Sequence, residues 1–209
     1  MHRRGVPLVV SAPSGTGKTT LCRGVMERLD GVEYSISHTT RPPRGQEENG
    51  RDYFFVDDAE FDALVKADAF LEWAHVHGCR YGTSRRVVES RLVEGKDLLF
   101  DIDVQGGRQI ADRLSDARLL FILPPNMTVL EQRLRGRKSD SEEQIQRRLG
   151  VARQEIQDAA FYTHWLVNDD LERAIEELRS LLIGERLART DKRQLIQQFS
   201  EESRGGEHA

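Results

Sequence analysis

Between residues 7 and 21 the chain reads Pro7-Leu8-Val9-Val10-Ser11-Ala12-Pro13-Ser14-Gly15-Thr16-Gly17-Lys18-Thr19-Thr20-Leu21, and nothing else in it so narrows what it can fold into. An apolar run enters a glycine-rich turn, and an apolar-periodic segment (Leu21, Val25, Leu29) leaves it. Strand, turn and helix in that order are the context that a phosphate-binding loop requires. The glycines let successive N–H groups turn inward around an anion, and the new helix aims its positive end at the same point. Lys18 is then placed to reach the outer phosphates, with the Thr19 hydroxyl on Mg²⁺. The general pattern begins with Gly, and here that position is Ala12, so Gly17-Lys18-Thr19 carry the match. A glycine turn with a solvated lysine is the plain alternative.

Further along, apolar strands alternate with helical patterns. Leu98 to Phe100, ending in the carboxylate of Asp101, and Leu119 to Leu123 are continuous apolar runs, and Trp165 to Asn168 is the last expected strand. Helices are expected from Lys18 toward Asp30-Gly31, from Asp58, from Tyr81-Gly82-Thr83-Ser84 to Gly95, from Thr128 and from Glu142 to about Gln157. Another is expected through Leu171, Ala174, Ile175, Leu178, Leu181 and Leu182. Asp58 caps the second of these helices, and Thr128-Val129-Leu130-Glu131 and Ser139-Asp140-Ser141-Glu142 are expected capping boxes. Continuous apolar strands separated by helices predict an α/β fold with a mostly parallel sheet covered on both faces. Ligands of such sheets sit at the carboxyl ends of the strands, where Ser14 to Thr19, Asp101 and Asn168 converge. Residues 37 to 96 differ in composition and form a strand-rich insert with small helices. Ser200 to Ala209 is polar and is expected to be disordered.

The balance of 31 basic and 35 acidic residues gives −4, which points to neither nucleic acid nor an anionic membrane. No apolar run reaches the roughly 18 residues of a membrane span, and two cysteines are too few for a disulfide framework. A cytoplasmic protein is expected.

Several motifs beyond the loop occur in a specific order: Ser37-His38-Thr39-Thr40-Arg41-Pro42-Pro43-Arg44-Gly45, Asn49-Gly50 with Tyr53, Phe70-Leu71-Glu72, and Tyr81-Gly82-Thr83. Asp101-Ile102-Asp103-Val104-Gln105-Gly106, Arg133-Leu134-Arg135-Gly136-Arg137 and Val167-Asn168-Asp169-Asp170 follow. From about Pro7 to about Ala188 the chain resembles the guanylate kinases of bacteria, in which Ala at position 12 is common. The resemblance implies a phosphate-loop NTPase core (1–36, 97–126 and 150–190), a GMP-binding insert (37–96), a helical lid (127–149) and a C-terminal tail (191–209). It implies transfer of a phosphoryl group from ATP to GMP with Mg²⁺, with dGMP expected beside GMP, and it leaves the oligomeric state open. ATP falls to Ala12, Pro13, Ser14, Gly15, Thr16, Gly17, Lys18, Thr19 and Thr20, with Asn168 on the adenine side. Arg41 and Arg44, aided by Tyr53 and Tyr81, hold the GMP phosphate. Arg133, Arg137 and Arg148 close on the phosphates with Lys18, and Lys138 stands where the family usually has Gly.

The residue chemistry supports these roles and leaves alternatives. Two prolines stiffen the loop that carries Arg41 and Arg44, and arginine suits bidentate phosphate contact, although a loop of solvated arginines has the same sequence. Glu72 and Asp103 can accept from guanine N1 and N2, while Ser37 and Thr83 can donate to O6. Glu72 lies between Leu71 and Trp73, where an unpaired carboxylate is costly. Asp103 can instead be a plain cap for the helix after it. Asp101, ending an apolar strand, suits Mg²⁺ and can instead be a helix cap. A non-catalytic binding module of the same shape and a kinase for another phosphorylated acceptor are the competing functions.

Overall fold

The computed structural model describes residues 3–76, 78–136, 140–190, 192 and 196. Its elements are β1 (Pro7–Ser11), α1 (Lys18–Arg28), β2 (Val32–Tyr34), β3 (His38–Thr39), β4 (Phe54–Phe55), α2 (Asp58–Lys66), β5 (Phe70–Val76) and β6 (Cys79–Ser84). There follow α3 (Arg85–Val93), β7 (Asp97–Asp101), α4 (Val104–Arg113), β8 (Arg118–Leu123), α5 (Met127–Gly136), α6 (Glu142–Asp158), β9 (His164–Val167) and α7 (Leu171–Ala188).

Five strands in the order β2-β7-β1-β8-β9 make one wholly parallel sheet. Alternate residues of its central strands feed two cores. Leu8, Val10, Leu99, Leu120 and Ile122 meet Leu21, Val25, Ile175 and Leu178 from α1 and α7 on one face. Val9, Leu98, Phe100, Leu119 and Phe121 meet Val88, Leu92 and Ile110 from α3 and α4 on the other. The apolar runs are continuous because both faces of the sheet are buried.

A second sheet, β4-β3-β6-β5, is built on antiparallel pairings of β6 with β3 and β5. Leu71 of this lobe enters the second core, while Phe61, Phe70 and Trp73 pack on one another, with ring centroids 4.8 and 6.2 Å apart. The helices α5 and α6 close a third, small core of Leu130, Leu134, Ile145, Leu149 and Ala152. Asp97, fully buried in β7, ties the two ends of the fold together. It accepts from Arg3 Nη1 and Arg186 Nε, each at 2.6 Å, and from the Val6 N–H at 2.9 Å.

Several local expectations shift. Tyr81 to Ser84 is strand, because Thr83, Gly82 and Tyr81 pair with Glu72, Trp73 and Ala74, and the helix starts only at Arg85. α1 ends at Arg28, before Gly31 takes φ +79°. The cap of α2 is Asp57, which accepts from the Glu60 N–H while Glu60 reaches back, since Phe61 must face the core. Asn126, not Thr128, caps α5 by accepting from the Val129 N–H at 2.9 Å. The box on α6 runs from Ser141 to Gln144, and Ser139 lies outside the described residues.

Candidate functional site

The site is assembled where β1, β7 and β8 end. Gly15 and Gly17 take φ +94° and +98°, a left-handed region that side chains rarely adopt, so the turn depends on glycine at both places. A Cβ on Gly17 would also lie 2.7 Å from Asn168 Nδ2. Lys18, the first residue of α1, folds back toward the sheet. Its Nζ lies 2.5 Å from Asp101 Oδ1 and 3.3 Å from the Ile102 carbonyl.

The loop is braced from behind by polar contacts. Buried Asn168 donates to the Thr16 carbonyl at 2.8 Å. Arg133 Nη1 donates to that same carbonyl at 3.2 Å and Nη2 to the Asn168 carbonyl at 3.0 Å. Arg148 Nη1 donates to Ser14 Oγ at 3.2 Å and its Nε lies 3.4 Å from Asp140. Arg133 and Arg148 thus both reach the loop. Arg147 lines a cavity of about 510 Å³ with Ser14 and Arg148. Arg135 pairs with Glu131 and Glu142 on the outside. Arg137 and Lys138 lie outside the described residues.

On the other side of Asp101 a cleft of about 380 Å³ separates the two sheets. Thr19, Ser37, Glu47, Tyr53, Thr83 and Asp101 are among the residues that line it. Glu72 stands beside it, and a bulge explains its position. Phe70 pairs with Ser84 and Glu72 with Thr83, so Leu71 is the extra residue on β5. Phe70 and Leu71 can then both be buried while Glu72 comes opposite Thr83. The Thr83 hydroxyl donates to Glu72 Oε1 at 2.5 Å, and the Ser37 and Thr83 hydroxyls are 3.4 Å apart.

Burial pushes the Glu72 carboxyl up to about 7; Thr83 opposes that rise, and the charge of Asp103 adds to it. Asp103 caps α4, accepting from the Gly106 N–H at 2.8 Å through Oδ1. The capping alternative is therefore realised, and it leaves Oδ2 out of the cap. Gln109 makes a connection that periodicity gives no hint of. Its side-chain amide accepts from the Trp73 N–H at 3.2 Å and donates to the Trp73 carbonyl at 3.3 Å, extending the edge strand β5 as another strand would.

Arg41 is 6% exposed and forms a bidentate pair with Glu47, at 2.9 Å from Nη1 and 2.8 Å from Nη2. Its guanidinium lies 5.2 Å from the Tyr53 ring centroid, and the rings of Tyr53 and Tyr81 are 6.0 Å apart. Arg44 is exposed. Nothing local in the sequence distinguishes Glu47 from Glu48.

The model of the guanylate kinase family matches residues 4–185. The chain belongs to the guanylate kinase family. It is 49% identical over 185 residues to the guanylate kinase of Geobacter sulfurreducens, covering 88% of this chain and 91% of that one. With the guanylate kinase of Nitratidesulfovibrio vulgaris it shares 50% over 187 residues, 90% of each. The crystal structure of guanylate kinase from Anaplasma phagocytophilum matches with a TM-score of 0.70 at 31% identity, covering 93% of this chain and 95% of that one. The family places the chain among the nucleoside monophosphate kinases that phosphorylate GMP from ATP. No helix among the described residues is long and apolar enough to cross a membrane.

Proposed function

We propose that this kinase holds ATP on the 12–20 turn and GMP in the cleft between its two sheets, and that Glu72 decides which base enters. The observation that carries the proposal is Glu72 itself, a 5% exposed carboxylate at the edge of a cleft whose hydrogen bonds among the described residues come from Thr83, through its hydroxyl and its backbone N–H. A carboxylate this deeply buried, with Thr83 as its donor and no cation beside it among the described residues, is costly. Guanine removes that cost, because its N1–H and N2–H donate to Glu72 and to the uncommitted oxygen of Asp103. Thr83, released, then turns with Ser37 toward O6. Adenine presents an acceptor at N1 and leaves the carboxylate facing it.

Phosphoryl transfer asks for alignment and for positive charge around the moving group. The turn offers inward N–H groups, and Lys18 exchanges Asp101 for the donor phosphates. Arg41, Arg44, Tyr53 and Tyr81 grip the acceptor phosphate. Arg133, Arg137 and Arg148 bring cations from residues 127–149, which act as a lid over the core, with 37–96 as the acceptor lobe. Asn168 closes the adenine side. A hydroxyl and a carboxylate, Thr19 and Asp101, line one cleft, and hard oxygen donors of this kind suit Mg²⁺. When bound there, the ion neutralises phosphate charge. We expect dGMP to serve beside GMP, and the cytoplasm, where two free thiols are unremarkable, as the site of action.

The test is kcat/KM for GMP and AMP in wild type and Glu72→Gln. Sites that leave polar groups unpaired reject the wrong ligand by roughly 10⁴ to 10⁵, so wild type should all but refuse AMP. Glu72→Gln should lose about 2 to 4 kcal/mol in kcat/KM for GMP, with KM for ATP little changed. Equal use of AMP by wild type, or full GMP activity in the variant, overturns the base assignment.

A further inference from the structure

Glu47 is the first carboxylate after the two prolines of the loop between β3 and β4, and it is engaged three times. Its Oε1 accepts from Arg41 Nη2, and its Oε2 accepts from Arg41 Nη1 and, at 2.7 Å, from the Arg44 N–H. Its own N–H donates to the Arg44 carbonyl at 3.0 Å, closing a turn over 44–47. Arg41 Nη1 spends its second hydrogen on the Pro42 carbonyl at 2.8 Å. A guanidinium has five N–H donors in a fixed fork, and three are now used at its outer end. The two that remain, on Nε and Nη2, lie parallel along the side edge; the Tyr81 hydroxyl also bonds the guanidinium, and an edge of this kind suits bidentate contact with a phosphate.

The charge of Glu47 acts in two directions. A guanidinium only 6% exposed is expensive to bury alone, and Glu47 neutralises it. The same carboxylate repels an incoming phosphate. Glu47 therefore helps binding only if fixing the fork outweighs that repulsion, which gives the inference a testable sign.

We propose that Glu47 is a positioning residue for the acceptor phosphate: it holds Arg41 by the outer end and the Arg44 backbone by its N–H, so that the side edge of Arg41 faces the cleft. This rests on the reading of Arg41 as a GMP-phosphate ligand, and the experiment separates the two. Calorimetric titration of wild type, Glu47→Ala, Glu47→Gln and Glu47→Asp uses two probes, GMP and guanosine, which differ only in the phosphate. Kd for GMP should rise about 10- to 100-fold in the Ala and Gln variants, the scale of losing charge-assisted hydrogen bonds. Kd for guanosine should move less than about threefold, and Asp should recover part of the loss. In steady state the penalty should fall on KM for GMP and not on KM for ATP.

Unchanged or tighter GMP binding in Glu47→Ala shows that repulsion wins and overturns the proposal. Parallel loss of GMP and guanosine shows that Glu47 merely holds the lobe together, and overturns it too. If wild type binds GMP no better than guanosine, the phosphate reading of Arg41 is what has failed, and this inference falls with it.

Discussion

Around residues 12–19 the features that shape the candidate site are mainly backbone ones, two glycines at positive φ, with one lysine that reaches Asp101. Between residues 37 and 103 they are side chains, two of them charged and nearly buried: Arg41 at 6% and Glu72 at 5% exposure. The first arrangement needs only a local conformation that glycine adopts without strain. The second needs partners for buried charge, and those come from elsewhere: Glu47 for Arg41, and Thr83, across a strand pairing, for Glu72. The donor half should therefore fail in rate while keeping its stability. The acceptor half should trade one against the other.

The largest effect expected is on the donor side. Lys18→Ala removes one compact cation and leaves Asp101, which is on the surface, to water. Loss of one preorganised charge-stabilising donor costs on the order of 10² to 10³ in kcat. Coupled ADP release should show that loss while thermal unfolding stays close to wild type. Turnover near wild type in the variant would remove Lys18 from the site.

Glu72→Gln sharpens the opposite half. A carboxyl whose ordinary value is 4.5 stands at about 7 in the folded chain, so the native state holds its proton where the unfolded chain has lost it. The contribution of this group to stability is then full below pH 4.5 and falls between 4.5 and 7. Above 7 it is a penalty of about 3 kcal/mol at about 1.4 kcal/mol per unit. Glutamine carries no such penalty. The variant should be more stable than wild type at pH 8, with the gain shrinking toward pH 5, although it handles GMP worse. At roughly 2 to 4 °C per kcal/mol, thermal unfolding at the two pH values resolves this. In wild type, kcat/KM for GMP should fall as pH drops below about 7, and that fall should flatten in the variant.

A third substitution tests the support behind the turn. Tyr162 donates to Ser11 Oγ at 2.6 Å, and Ser11 donates to the Ile102 carbonyl at 2.7 Å, the group that also receives Lys18. A Cβ on Gly107 would sit 2.1 Å from the Tyr162 hydroxyl. Gly107→Ala must therefore push a stiff ring off its hydrogen bond, at about 1 to 3 kcal/mol of overpacking. Gly24→Ala is the control. There the nearest atoms are Ile175 Cδ1 at 2.4 Å and Cγ1 at 3.0 Å, so the clash falls on an aliphatic side chain with no hydrogen bond to lose. Equal losses for the two would mean that the Tyr162 bond contributes nothing.

The same contrast explains what was legible in the sequence. The 12–20 turn is one contiguous string whose residue types dictate its backbone, and the central strands show as unbroken apolar runs because both faces are covered. Strand β6 did not show. Tyr81-Gly82-Thr83-Ser84 has the local look of a helix entry, and only its pairing to β5 makes it extended. Glu72 was conspicuous as an acid in an apolar run, but the bulge that aims it depends on two separate cores claiming Phe70 and Leu71. Glu47 and Gln109 act on Arg41 and Trp73, reached by a loop that folds back and by a helix 36 residues away. Caps moved by a residue or two because neighbouring Asp57 and Asp58, or Asn126 and Thr128, are equally able to cap. Which one does so is fixed by where the helix must bury its apolar side.

The smallest effect expected compares two caps of the same kind in different settings. Ser141 and Gln144 form a reciprocal box at the start of α6, as Asp57 and Glu60 do at the start of α2. Removing such a cap costs about 1 kcal/mol of helix stability. On α2 the first turn leads straight to fully buried Phe61, so Asp57→Ala should lower the global unfolding temperature by the few degrees that this cost implies. On α6 the first turn lies on the surface, and its first buried residue, Ile145, belongs to the small core that α6 forms with α5. Fraying there should stay local. Ser141→Ala should leave the global transition almost unmoved, while the amides of the first turn of α6 exchange about fivefold faster, the factor that corresponds to about 1 kcal/mol. Because α6 also carries Arg148 to Ser14, KM for ATP should rise slightly, by no more than about twofold. A global shift as large as that of Asp57→Ala would show that the α5–α6 pair unfolds together with the main sheet, and that residues 127–149 do not move as a separate lid.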